Sequence, residues 1–165
     1  MKRFALLATG AATVAAFGVA ATVVLAGTTK AADPSGVQIT PLSQGTIGSK
    51  VSVRSAGITI RTKGPRTVLV TAIAVDPGGS FGWHTHPGPV LVTVSKGALA
   101  VYEAHGSRCV RSTVTAGQAF VEGGGDVHLA RNEGATSVEL NAIFLAPTGT
   151  SQFLIPRAQP AGCNV

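Results

Sequence analysis

The sequence predicts an all-β chain folded as an antiparallel sandwich or barrel, on three observations. Short runs rich in Val, Ile and Thr recur through the 165 residues. Gly and Pro, at 21 and 9 copies, break those runs at short intervals. No long helical pattern follows the first thirty residues. The length suits one domain with a core of its own.

Residues 1–31 read as a secretory signal peptide. Lys2 and Arg3 open the segment, no charge occurs from Phe4 to Thr29, and small residues follow, with candidate cleavage points after Ala26, Ala31 and Ala32. The alternative is an N-terminal membrane anchor, since the apolar run is long enough to span a bilayer. Either reading places the remainder outside the cytoplasm: secreted or extracytoplasmic, or held at the membrane by this segment alone. Residues 32–50 are polar with Pro and Gly, and read as a linker or an arm packed on a barrel edge.

The barrel is predicted over residues 51–157. Its strand candidates are Val51–Val53, Ile58–Arg61, Thr67–Val75, Trp83–His86, Val90–Ser95, Ala98–Glu103, Cys109–Val114, Ala119–Val121, Val127–Arg131 and Val138–Leu145. Turn signals such as Asp76-Pro77-Gly78-Gly79, Pro87-Gly88-Pro89 and Gly123-Gly124-Gly125-Asp126 separate them. The stretch Thr67–Val75 is apolar at nearly every position, which predicts a strand covered on both faces. Residues 158–165 form an irregular C-terminal tail.

The two cysteines, Cys109 and Cys163, are an even pair in a chain with an export signal, so a disulfide between them is expected. It would clamp the tail across the barrel, away from any functional mouth. Net charge is +6, but Lys2, Arg3 and Lys30 lie in or beside the N-terminal segment, leaving ten bases against seven acidic residues. Those ten are scattered without aromatic interleaving, which argues against nucleic acid as a partner.

His84 and His86 stand two positions apart, so on a strand both imidazoles point to one face and can share a metal ion. Around them, Gly78 is followed by five residues, His84-Thr85-His86, three residues, Val90, six residues and Gly97. Further on, Gly117 is followed by five residues, Gly123, one residue, Gly125, two residues, His128, three residues and Asn132. These spacings resemble the two motifs of the cupin superfamily, over roughly Thr67 to Leu145. The resemblance implies an antiparallel cupin β-barrel, or double-stranded jelly roll, and a divalent transition metal on His84, His86 and His128. Iron, zinc, manganese, nickel and copper are not resolved by it.

Two positions depart from the family pattern. Gly123 stands where the family has proline. Val90 stands where it has a carboxylate ligand, and restoring one by Val90→Glu is expected to tighten metal binding. Asp126, two residues before His128, is a candidate fourth ligand. Glu122, just before the glycine run, reads as a surface residue. Tyr102 and Glu103 alternate, so one of them faces the interior.

The leading functional reading is a metal-binding barrel of unknown specific activity. The alternatives are a three-histidine non-haem iron dioxygenase, or another metal-dependent enzyme acting on a small anionic substrate, and a metal-free barrel that binds a small ligand. No general base, nucleophile or organic cofactor fingerprint chooses between them. The partners expected are a small molecule and, in one alternative, a second copy in a homodimer.

Overall fold

A computed structural model describes residues 33–165; the segment read as a signal peptide or anchor lies outside the described residues. Among the described residues no helix is long and apolar enough to cross a membrane. The elements are twelve strands: β1 (Ser35–Ile47), β2 (Ser52–Ser55), β3 (Ile58–Arg61), β4 (Arg66–Ser80), β5 (His84–Thr85), β6 (Val90–Lys96), β7 (Ala98–His105), β8 (Arg108–Thr115), β9 (Ala119–Glu122), β10 (His128–Arg131), β11 (Val138–Pro147) and β12 (Ile155–Pro156).

Every pairing is antiparallel. One layer runs β1-β4-β11-β6-β9 and the other β12-β5-β10-β7-β8, with β4 bending from the first into contact with β10 through Ser80 and Arg131. The result is the nearly closed all-β barrel of a jelly roll. The bend lies at Asp76–Gly79. Gly78 takes φ +75° there, and a Cβ on Gly79 would press into the carbonyl oxygen of Gly36. Asn132, almost wholly buried, fastens the bend: its amide nitrogen lies 2.8–3.1 Å from the carbonyls of Val75, Asp76 and Thr136.

Strand alternation builds the core. Val90, Val92 and Val94 point inward from β6 while Leu91 faces out, and Ile73, Val75, Leu140, Ala142 and Phe144 meet them from β4 and β11. β4 is covered fully on one face only. Its outward side chains Val68, Val70, Ala72 and Ala74 remain half-buried, because no further layer packs over them.

Residues 35–47, within the stretch read as linker or arm, form a strand paired along β4. Pro41 is tolerated at a register shift on this edge strand, where its missing N–H leaves no ladder bond broken. β2 and β3 pair only with each other, through a two-residue turn at Ala56 and Gly57, and are not hydrogen-bonded to the barrel.

Candidate metal centre

The three histidines converge because of strand register. His84 on β5 pairs directly with His128 on β10, so both rings project from the same face. His86 follows by strand parity. The ring centroids of the three lie 4.3–5.0 Å apart, and one ligand atom from each falls within 4.8 Å of the others. All three residues are buried. Glycines bring the two histidine-bearing loops together. Gly124 packs backbone to backbone on Gly88, a Cβ on Gly88 would collide with the Leu145 carbonyl oxygen, and the Gly125 N–H donates to the His86 carbonyl at 3.0 Å. At Gly123, where the family has proline, a Cβ would meet only the exposed Asp126 carboxylate, which can swing aside.

Each imidazole is held by its Nδ1. His84 Nδ1 lies 2.9 Å from the Gly82 carbonyl, His128 Nδ1 2.9 Å from the Asp126 carbonyl, and His86 Nδ1 2.6 Å from the Phe153 carbonyl. A carbonyl only accepts, so each Nδ1 carries the proton and donates. In the neutral ring the Nε2 is then a lone pair. His86 Nε2 and His128 Nε2 stand 3.2 Å apart and face each other. Glu122 joins them, with Oε2 3.1 Å from His86 Nε2 and Oε1 3.2 Å from His128 Nε2, its side chain only 11% exposed. Converging lone pairs with no donor among them require a cation, either a proton or a metal ion. The donor set therefore fits a divalent transition metal.

The electrostatics of the metal-free chain agree. Burial, then the neighbouring His128, lowers the His84 pKa to about 3, so that ring stays neutral. Burial opposes ionisation of Glu122, yet His128 and His86 outweigh it and hold the carboxyl down at about 2. Burial also works against charge on His128, and Glu122 overcomes it and raises that pKa. Both shifts favour a proton on His128 beside an ionised Glu122.

The remaining sequence candidates fall elsewhere. Asp126 stands apart from the histidine cluster: its side chain is exposed and folded over Gly123, and its contact with the cluster is the backbone carbonyl that orients His128. The glycine run breaks the strand parity that pointed it inward. Neither Tyr102 nor Glu103 faces the barrel interior: Glu103 lies directly across from His128 in register but its side chain is exposed, and Tyr102 packs on the outer face with Trp83, Leu129 and Cys163. Glu122 is the residue that sequence reasoning missed. The available signal was its parity with the aromatic Phe120 two positions earlier: both border the cavity, while Val121 between them is 66% exposed.

The disulfide Cys109–Cys163 is present, but the tail it anchors does not avoid the metal mouth. The chain leading to it crosses the site. Phe153 supplies the carbonyl that orients His86, Ile155 and Pro156 pair with Thr85 and His84, and the Arg157 N–H donates to the Trp83 carbonyl at 2.8 Å. Leu154 from the same strap, with Phe81, Val90, Phe120 and Phe144, lines an apolar cavity of about 30 Å³ that His84, His86 and Glu122 border. That volume has room for about one or two water molecules.

No curated protein sequence matches the chain. Among solved structures, an oxalate oxidase is similar at 29% identity over 47% of this chain and 41% of its own, with a TM-score of 0.43. The chain thus spans about two fifths of that relative's length. A cupin domain of an XRE family transcriptional regulator from Enterobacter cloacae is similar at 16% identity over 68% of this chain and 98% of its own, TM-score 0.46. A cupin domain from Bordetella pertussis is similar at 25% identity over 61% of this chain and 96% of its own, TM-score 0.42. The Cupin domain family matches residues 72–144, which span β4 to β11 and include all three histidines. Residues 72–144 of this chain are therefore a cupin domain.

Proposed function

We propose that this is an exported cupin that holds one divalent transition metal on the Nε2 atoms of His84, His86 and His128. The observation that carries the proposal is a buried cluster of three histidines whose ligand atoms lie within 4.8 Å of one another, each with its Nδ1 donating to a backbone carbonyl. Such an ion supplies Lewis-acid or redox chemistry to a bound ligand. The protein's own part is to fix the three tautomers, exclude bulk water and leave a small apolar space beside the ion. That space favours a small neutral ligand: apart from His84, His86 and Glu122 its lining is apolar, so an anion would meet no protein cation there. The Cys109–Cys163 bond and the N-terminal segment support an extracytoplasmic setting.

The test is metal analysis of protein purified without added metal or chelator. Near one equivalent per chain is expected, and His84→Ala, His86→Ala and His128→Ala should each lower it. A triple variant with undiminished metal would refute the assignment.

A further inference from the structure

We infer that Glu122 is the fourth protein ligand, a carboxylate moved one strand across the sheet from the position that Val90 occupies. The inference rests on the metal-centre reading above and adds a ligand to it.

Val90 on β6 and Glu122 on β9 are direct cross-strand partners. Direct partners project from the same face with Cβ atoms about 5 Å apart. Val90 is buried and borders the cavity that Glu122 also borders. A carboxylate at either position therefore reaches the same space, and this chain supplies it from β9. The side chain is seated for the role. Its two oxygens lie 3.1 and 3.2 Å from separate imidazole nitrogens, and its strand neighbour Val121 faces solvent. An ionised carboxylate offers only lone pairs, so it cannot satisfy the Nε2 atoms and must share a cation with them. Three neutral imidazoles and one carboxylate leave a divalent ion with a single net positive charge. The set also gains a hard oxygen donor that suits manganese or iron better than three nitrogens alone. Adding Val90→Glu to the intact chain would crowd two carboxylates onto one ion. The gain in affinity expected from that substitution should therefore appear only where Glu122 has been removed.

The test is calorimetric titration of chelator-stripped protein with Mn2+ and with Zn2+. Glu122→Gln keeps the shape and removes the charge, and should weaken Mn2+ binding at least about tenfold, with a smaller loss for Zn2+. The relocated pair Val90→Glu/Glu122→Val should recover most of the lost Mn2+ affinity. A second readout needs no variant to fold under strain. With 13C-labelled glutamate, one of the chain's four glutamate carboxyl signals should shift or broaden on loading with Co2+, far more than the rest, and that signal should be missing from Glu122→Gln. Unchanged Mn2+ affinity in Glu122→Gln, or a Glu122 signal unmoved by Co2+, overturns the inference while leaving the three-histidine centre standing. Wild-type protein that binds neither Mn2+ nor Zn2+ overturns both.

Discussion

Removing the disulfide with Cys109→Ser/Cys163→Ser should do two separable things. The bond spans 54 residues, and closing a loop of that size stabilises the fold by about 4 kcal/mol through the unfolded state. For a domain of this size, that loss lowers the melting temperature by roughly 10–15 °C. The second effect is local. With the bond intact, the strap of residues 153–157 is tied between β11 and Cys163. Cut free, it is held by the Phe153 and Arg157 hydrogen bonds and the short β12–β5 pairing, each bond contributing about 1 kcal/mol. The strap then stays closed most of the time but opens far more often, and each opening removes the carbonyl that orients His86. Equilibrium metal affinity should change little, because the strap stays mostly closed, while transfer of the ion to excess chelator should quicken in step with the more frequent opening. Stopped-flow release of Co2+ or Zn2+ into a chromogenic chelator reads this directly, beside thermal unfolding of the same samples. A variant that melts lower yet releases metal at the wild-type rate would refute the link between strap and site, and would restore the view of a tail clamped away from the metal.

Asn132→Ala should cost about 3 kcal/mol in urea unfolding, because it leaves the buried carbonyls at the β4 bend without their donor; a loss under about 1 kcal/mol would mean the bend holds itself. Gly88→Ala should fold poorly or not at all, since its Cβ meets the Leu145 backbone rather than a movable side chain; normal solubility and melting would contradict the packing of the two loops. In metal-free protein, His84 makes acidification destabilising: its folded pKa of about 3 lies below the unfolded value of 6.5, so between those pH values the unfolded chain binds the proton and the folded chain does not. Over that window His84→Gln should lose less stability than wild type, and identical pH profiles would count against a buried neutral ring.

Periodicity made most of the barrel legible. Val90, Val92 and Val94 alternate with exposed or outward partners, and the runs at β6, β7 and β11 are placed within two residues of their observed ends, whereas β4 continues past Val75 through the bend to Ser80. The histidine triad was legible through motif spacing alone. β1 was not, because its residues are polar, carry Pro41, and become a strand only by pairing along β4. β12 has two residues and exists because the tail returns to β5, a tertiary event with no local pattern. Glu122 and Asp126 exchanged roles for one reason. Parity holds through β9 up to Glu122 and fails in the glycines that follow, so the nearer carboxylate in sequence is the wrong one in space.

Whether the three Nε2 atoms share one ion is decided by a crystal structure of metal-loaded protein with anomalous data at the metal edge. One anomalous peak per chain is expected at about 2.1 Å from the Nε2 atoms of His84, His86 and His128, with each Nδ1 still donating to its backbone carbonyl. A peak elsewhere on the surface, coordination through any Nδ1, or no peak in crystals grown with excess metal would contradict this arrangement.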